Sequence, residues 1–317
     1  MKQPKIVWAF SGGAAKWIAL ARTAQVSKEK GLRPDIIIGT SSGSLLAPII
    51  AVAYDMPELM DQAIKFGETL DVPDMFPKNH HPFNKKGKPT FNAVTRILTG
   101  YSHFGIQDIR PLYLKVFKQE HFELLKKSEI KCFAFGVQGS NGTPKLVCLN
   151  DAKDLNELIY MLEVSSRIVP FVQAAEYEGK LYVDGGFISF CPAMWLFDTF
   201  NIKELLTVYS TPVPKSIGEN PKWNDNVLSV TEQMLKITAH YLGVKDAIIE
   251  ELHCKLNNIP YMRIECPNGF IDELYETDDD QLIALGMASK ENAEKAWETT
   301  SLTKQNNIKW MQDTLMV

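Results

Sequence analysis

Apolar residues fall along this chain in two rhythms. Short unbroken runs, Ile6-Val7-Trp8-Ala9-Phe10 and Ile36-Ile37-Ile38, stand between longer segments in which apolar and polar positions recur at helical spacing. A short apolar run bounded by glycine predicts a buried strand. Lys5 to Phe10 is therefore expected as a first strand closed by Ser11-Gly12-Gly13, and Asp35 leads into a second that ends at Gly39. Between them, Lys16 to Lys30 reads as a helix that Gly31 stops. Ser42 to Ala53 reads as a buried helix, with Pro48 starting or kinking part of it. This alternation predicts adjacent parallel strands joined by a right-handed crossover.

Further strands are expected at Ile130 to Val137, Lys145 to Leu149, Glu204 to Val208 and Tyr261 to Ile264. Asn141-Gly142 supplies the turn that makes the first two a hairpin. Helices are expected over Val230 to Leu256 and Gln281 to Thr299. Asp71 to Pro89 has no period; it holds four prolines, four lysines and His80-His81. A loop of that length predicts a lid, with Met75, Phe76 and Phe83 touching a lipid surface, or a solvated loop. No repeat, low-complexity tract or linker divides the 317 residues, so residues 1–317 are expected as one α/β domain with a helical C-terminal part.

Composition narrows the function classes. At 45% hydrophobic and 23% charged residues the chain is an ordinary globular one. A net charge of −4 argues against a nucleic-acid-binding surface, although Lys85, Lys86 and Lys88 make a local basic patch. The five cysteines are scattered without a CxxC pair, which predicts buried thiols in a reducing compartment and no zinc site. The N-terminal apolar run is cut short by Lys16, so it reads as a strand rather than a secretory signal. No stretch reaches the roughly 18 apolar residues that span a bilayer. A soluble cytoplasmic protein is the expectation.

The chemistry concentrates at the ends of these strands. Gly39-Thr40-Ser41-Ser42-Gly43 lies after a strand and before a helix. Such a Gly-x-Ser-x-Gly turn pushes the serine hydroxyl out, and the helix aims its first amides at developing negative charge. Ser41 is the expected nucleophile; the bland reading is a strand-to-helix turn with a capping serine. Ser11-Gly12-Gly13-Ala14-Ala15-Lys16 follows the neighbouring strand, where successive N–H groups converge on an anion or simply make a tight turn. Lys16 adds positive charge for an anionic head group, or is a solvated lysine. Its glycine positions fit neither a dinucleotide loop nor a phosphate-binding Walker loop. Of the six histidines, only His240 and His253 follow Ser41 and Asp184 in the chain order of a Ser-Asp-His triad. Asp184 closes a short strand, Lys180 to Val183, and precedes Gly185-Gly186; read alone it is a base at a strand end or an ordinary Asp-Gly turn.

Together the glycine loop, the elbow and Asp184-Gly185-Gly186 resemble the patatin-like phospholipase family over about residues 5 to 210. Ser166-Arg167-Ile168-Val169-Pro170 and Pro192 are similar to further family features, whereas Ala14 and Trp17 stand where the family has glycine. The resemblance implies a three-layer α/β/α sandwich with a mainly parallel sheet. It implies a Ser41–Asp184 dyad without histidine, an oxyanion hole of Gly12, Gly13 and Ala14, acyl-ester lipids as substrates, transient contact with a membrane surface and no cofactor or metal. A Ser-Asp-His esterase and a catalytically silent lipid-binding protein on the same fold are the alternatives.

Overall fold

The computed structural model describes residues 3–70, 108–169, 172–212, 227–267 and 278–300. The expected lid, Asp71 to Pro89, lies outside them. The strands are β1 (Pro4–Phe10), β2 (Ile36–Thr40), β3 (Lys131–Gln138), β4 (Pro144–Cys148), β5 (Ala175–Tyr177), β6 (Lys180–Asp184), β7 (Asn201–Tyr209) and β8 (Tyr261–Glu265). They form one sheet in the order β5-β6-β3-β2-β1-β7-β8, with β4 paired to β3. The run β3-β2-β1-β7-β8 is parallel, and β4, β5 and β6 join antiparallel at one side. The expected adjacency of the first two strands and the expected hairpin are both present.

The helices are α1 (Trp17–Glu29), α2 (Ser42–Val52), α3 (Glu58–Glu68), α4 (Arg110–Tyr113), α5 (Gln119–Lys127), α6 (Leu155–Glu163), α7 (Val227–Leu256) and α8 (Asp279–Thr299). A strand exposes successive side chains to opposite faces, so a strand buried on both faces feeds two cores. Trp8, Phe10 and Ile37 pack into one core with the apolar sides of α1, α2, α3 and α8. Val7, Ala9, Ile36 and Ile38 pack into the other with Leu196, Ala247 and Cys254. The result is a three-layer α/β/α sandwich with a mostly parallel sheet. Pro48 sits inside α2 without ending it. In α8, Trp297 donates from Nε1 to Ser27 Oγ at 3.1 Å, and Leu282, Leu285 and Ala293 share the larger core. The last third of the chain therefore closes the same sheet as the first. All five cysteines are free thiols, four of them buried. No helix among the described residues is long and apolar enough to cross a membrane.

Candidate active site

Ser41 is the one residue between β2 and α2, with φ 52° and ψ −123°. A non-glycine residue there costs of order 1–3 kcal/mol and persists only where its surroundings hold it. The peptide N–H of Ser41 donates to both the carbonyl (3.0 Å) and the hydroxyl (2.9 Å) of Ser165. Ser165 in turn donates to the Phe135 carbonyl at 2.6 Å. On the other side, Ser44 Oγ donates to the Ser41 carbonyl at 2.6 Å. Both flanking glycines are required by space. A Cβ on Gly39 would lie 2.2 Å from the Gly43 carbonyl carbon, and one on Gly43 would lie 2.6 Å from the Phe10 carbonyl oxygen.

Register on β3 brings Asp184 to this elbow. Thr40 pairs with Phe135, and Asp184 pairs with the next residue, Gly136. Because β4 occupies the opposite edge of β3 at Phe133 to Val137, β6 takes over the edge where β2 stops. Ser41 and Asp184 thus leave their strands side by side. Asp184 is 4% exposed, and its Oδ1 accepts from Gly186 N–H at 2.7 Å. A Cβ on Gly185 would come 2.3 Å from the Phe135 carbonyl, so only glycine lets the chain turn there. Oδ2 is buried with no hydrogen-bond partner among the described residues. Burial pushes the carboxyl up from 3.8 to about 6, against the opposing pull of the Ser41 hydroxyl and the Gly186 N–H. The Ser41 hydroxyl thus favours the carboxylate form of Asp184.

The glycine loop lies against the elbow: a Cβ on Gly12 would sit 3.4 Å from the Ser41 Cβ. The structure corrects one of its three expected donors. The Gly12 N–H is already committed to the Phe190 carbonyl at 3.1 Å. Gly13 and Ala14 offer N–H groups without an acceptor among the described residues. Ala14 takes φ 44°, a conformation natural to glycine, so its N–H is retained at the cost of a strained alanine. Lys16 is half-buried; its N–H donates to the Gly13 carbonyl at 2.8 Å, and its charge lies near the buried Cys266 thiol.

Trp17 is turned into the protein, 5% exposed, with Nε1 donating to the Ala63 carbonyl at 3.1 Å. It walls an apolar cavity of about 40 Å³ that Ala14, Ser42, Leu45, Phe66 and Tyr113 also line. The described histidines are occupied elsewhere. His121 Nδ1 accepts from Lys118 N–H at 3.0 Å, His240 packs edge-on against Tyr241, and His253 stacks on Phe197 with centroids 3.8 Å apart. None of the three is hydrogen-bonded to Ser41 or Asp184; His80, His81 and His103 lie outside the described residues. Sequence reasoning missed Ser165, whose partners Ser41 and Phe135 are remote in the chain.

An elbow serine, a buried carboxylate beside it and a glycine loop across from both meet in one cleft. Residues 9–197, more than half of the chain, match the family model described as "Patatin-like phospholipase". The chain belongs to the patatin-like phospholipase family. A 50-residue stretch is 46% identical to "Uncharacterized protein YqhO" of Bacillus subtilis, spanning 16% of this chain and 17% of that relative. Among solved structures, the chain is similar to VipD from Legionella pneumophila, at 12% identity and a TM-score of 0.49 over 94% of its length. It is also similar to the type III effector protein ExoU, at 13% identity and a TM-score of 0.40 over 93% of its length. This chain covers 68% of the former and 53% of the latter. As a family member it carries its nucleophile candidate and Asp184 inside the matched region, whereas β7, β8, α7 and α8 lie beyond it.

Proposed function

We propose that this patatin-like protein hydrolyses acyl esters of phospholipids or related lipids through Ser41 and Asp184. The observation that carries the reading is the buried, unpartnered Oδ2 of Asp184 beside a serine held at φ 52°. Asp184 takes the Ser41 proton as Oγ attacks the ester carbonyl. The tetrahedral oxyanion is held by the N–H groups of Gly13 and Ala14. Asp184 then gives the proton to the departing alcohol oxygen, leaving an acyl-serine. Water, deprotonated by the same carboxylate, attacks that ester; collapse frees the fatty acid and returns the proton to Ser41.

The apolar cavity suits the first carbons of the acyl chain, since its lining includes Ala14 and also Ser42, the residue after the nucleophile. Lys16, in the turn after Ala14, suits a head-group phosphate. The substrate sits in a lipid surface, so the reading includes transient contact with a membrane. Free, buried thiols suit work in a reducing compartment such as the cytoplasm. No cofactor, metal or nucleic acid enters this chemistry. A fluorophosphonate probe reports on it directly: wild type is expected to label covalently and Ser41→Ala to remain unlabelled. Equal labelling of both would remove Ser41 from the reaction, and folded wild type that never labels would leave a lipid-binding protein instead.

A further inference from the structure

A buried carboxylate outside the family-matched region holds the two halves of the cleft together. Asp246, on α7, is 0% exposed. Its Oδ2 accepts from Phe190 N–H (2.7 Å), Cys191 N–H (3.1 Å) and the Ser189 hydroxyl (3.0 Å). The segment so gripped reaches both catalytic loops. The Phe190 carbonyl accepts the Gly12 N–H at 3.1 Å, and the Ser189 carbonyl accepts the Thr40 hydroxyl at 3.2 Å. The Phe190 ring also backs the glycine loop, 3.6 Å from where a Gly12 Cβ would be. Next to Asp246, Lys245 donates to the Ile188 carbonyl at 2.9 Å and stands 3.3 Å from Asp246 Oδ1. Glu250, one turn on, instead accepts from the Tyr209 hydroxyl at 2.8 Å.

We propose that Asp246 is a positioning residue that fixes the distance between Ser41 and the amides of Gly13 and Ala14, acting through the Ser189–Cys191 segment. This rests on the reading of that loop as the oxyanion hole. Two backbone N–H bonds and a hydroxyl on one carboxylate oxygen are charge-assisted and stiff. The segment they immobilise is tied at one carbonyl to the donor loop and at the next to the residue before the nucleophile. Without the carboxylate, the Phe190 carbonyl is no longer held against the Gly12 N–H, that bond opens more often, and the Gly13 and Ala14 amides lose their aim at the oxyanion.

The test compares Asp246→Ala and Asp246→Asn with Asn150→Ala, by steady-state hydrolysis of a water-soluble acyl ester and by amide hydrogen exchange. Asn150 is buried and also makes three hydrogen bonds to backbone, to Cys132, Leu125 and Ile130, at the opposite end of β3 from Gly136. Asp246→Ala is expected to lower kcat about 100-fold with KM nearly unchanged, the signature of a misplaced transition-state contact. Asp246→Asn keeps one acceptor oxygen and is expected to lose only about tenfold. Both should speed exchange at Gly12. Asn150→Ala should lower the melting temperature while leaving kcat and Gly12 exchange as in wild type. Folded Asp246 variants with wild-type kcat, or with wild-type exchange at Gly12, overturn the proposal. If Asp246→Ala does not fold, Asp246→Asn alone decides on the same two readouts. If wild type proves no more active than Ser41→Ala, the hydrolase reading fails and Gly12 exchange still decides: faster exchange upholds the positioning, unchanged exchange overturns it.

Discussion

Asp184 is buried where a charge is costly, and that cost links activity to pH and to stability. Only the carboxylate can take the Ser41 proton, so kcat/KM is expected to rise with pH through an apparent pKa of about 6. Stability runs the other way. Below pH 3.8 the carboxyl is protonated in folded and unfolded chains alike; between 3.8 and about 6 the folded protein keeps a proton the unfolded chain has lost. Stability owed to this group therefore falls across that window, and the whole penalty is present above it. Asp184→Asn is expected to stabilise the protein at pH 8 by up to about 3 kcal/mol and by nothing below pH 4, measured by denaturant titration at both pH values. A gain of equal size at both would show that the carboxyl is not carrying a raised pKa. At this scale the chain was readable where the constraint was local. Ser41 shows itself because Gly39 and Gly43 have no room for a Cβ, a demand that two neighbours reveal. Gly12 looked like a donor because nothing near it in sequence announces Phe190, the acceptor that takes its N–H.

Among the elements, β1, β2, α1 and α2 lie close to where their periodicity put them, because glycines mark the ends of these buried strands and of α1. The strands β3, β4, β7 and β8 and the helices α7 and α8 were also legible within a few residues. Helix α3 was not read, although Leu59, Met60, Ala63, Ile64 and Gly67 make its buried side at helical spacing. Nor was α6, whose start is signalled by Asp154 accepting from Glu157 N–H at 2.9 Å. Trp17 is the informative departure at this scale. It stands where the family has glycine; it packs toward α3, edge-on to Phe66 at 5.9 Å, and walls the cavity beside Ala14. Trp17→Leu is expected to deepen that cavity. Each further methylene buried there is worth about 0.8 kcal/mol, so the preference for longer over shorter acyl esters should rise about fourfold per methylene accommodated. Unchanged chain-length selectivity, measured as kcat/KM across a series of soluble esters, would put the acyl chain elsewhere.

For the molecule as a whole, the pattern gave adjacent parallel strands and the family resemblance implied the three layers, but neither gave the sheet order. That order depends on pairings between distant strands, β1 with β7 and β3 with β6, which periodicity does not encode. The second of these makes the site, since it sets Asp184 next to the end of β2. Asp184 was separable from an ordinary Asp-Gly turn only through family resemblance, and the register on β3 now gives the physical reason for its position. The last third was legible as helices and a strand; its part in the cleft, through Asp246, was not, because that carboxylate's partners are backbone groups far upstream. The central claim is hydrolysis by Ser41 and Asp184 without histidine, and initial rates of fatty-acid release from phospholipid vesicles at pH 8 test it most directly. Ser41→Ala and Asp184→Asn are expected to lose about 100-fold or more, and the double variant His240→Ala/His253→Ala to stay within about threefold of wild type. A folded Asp184→Asn that keeps the wild-type rate, or a folded double histidine variant that loses it, would contradict the claim.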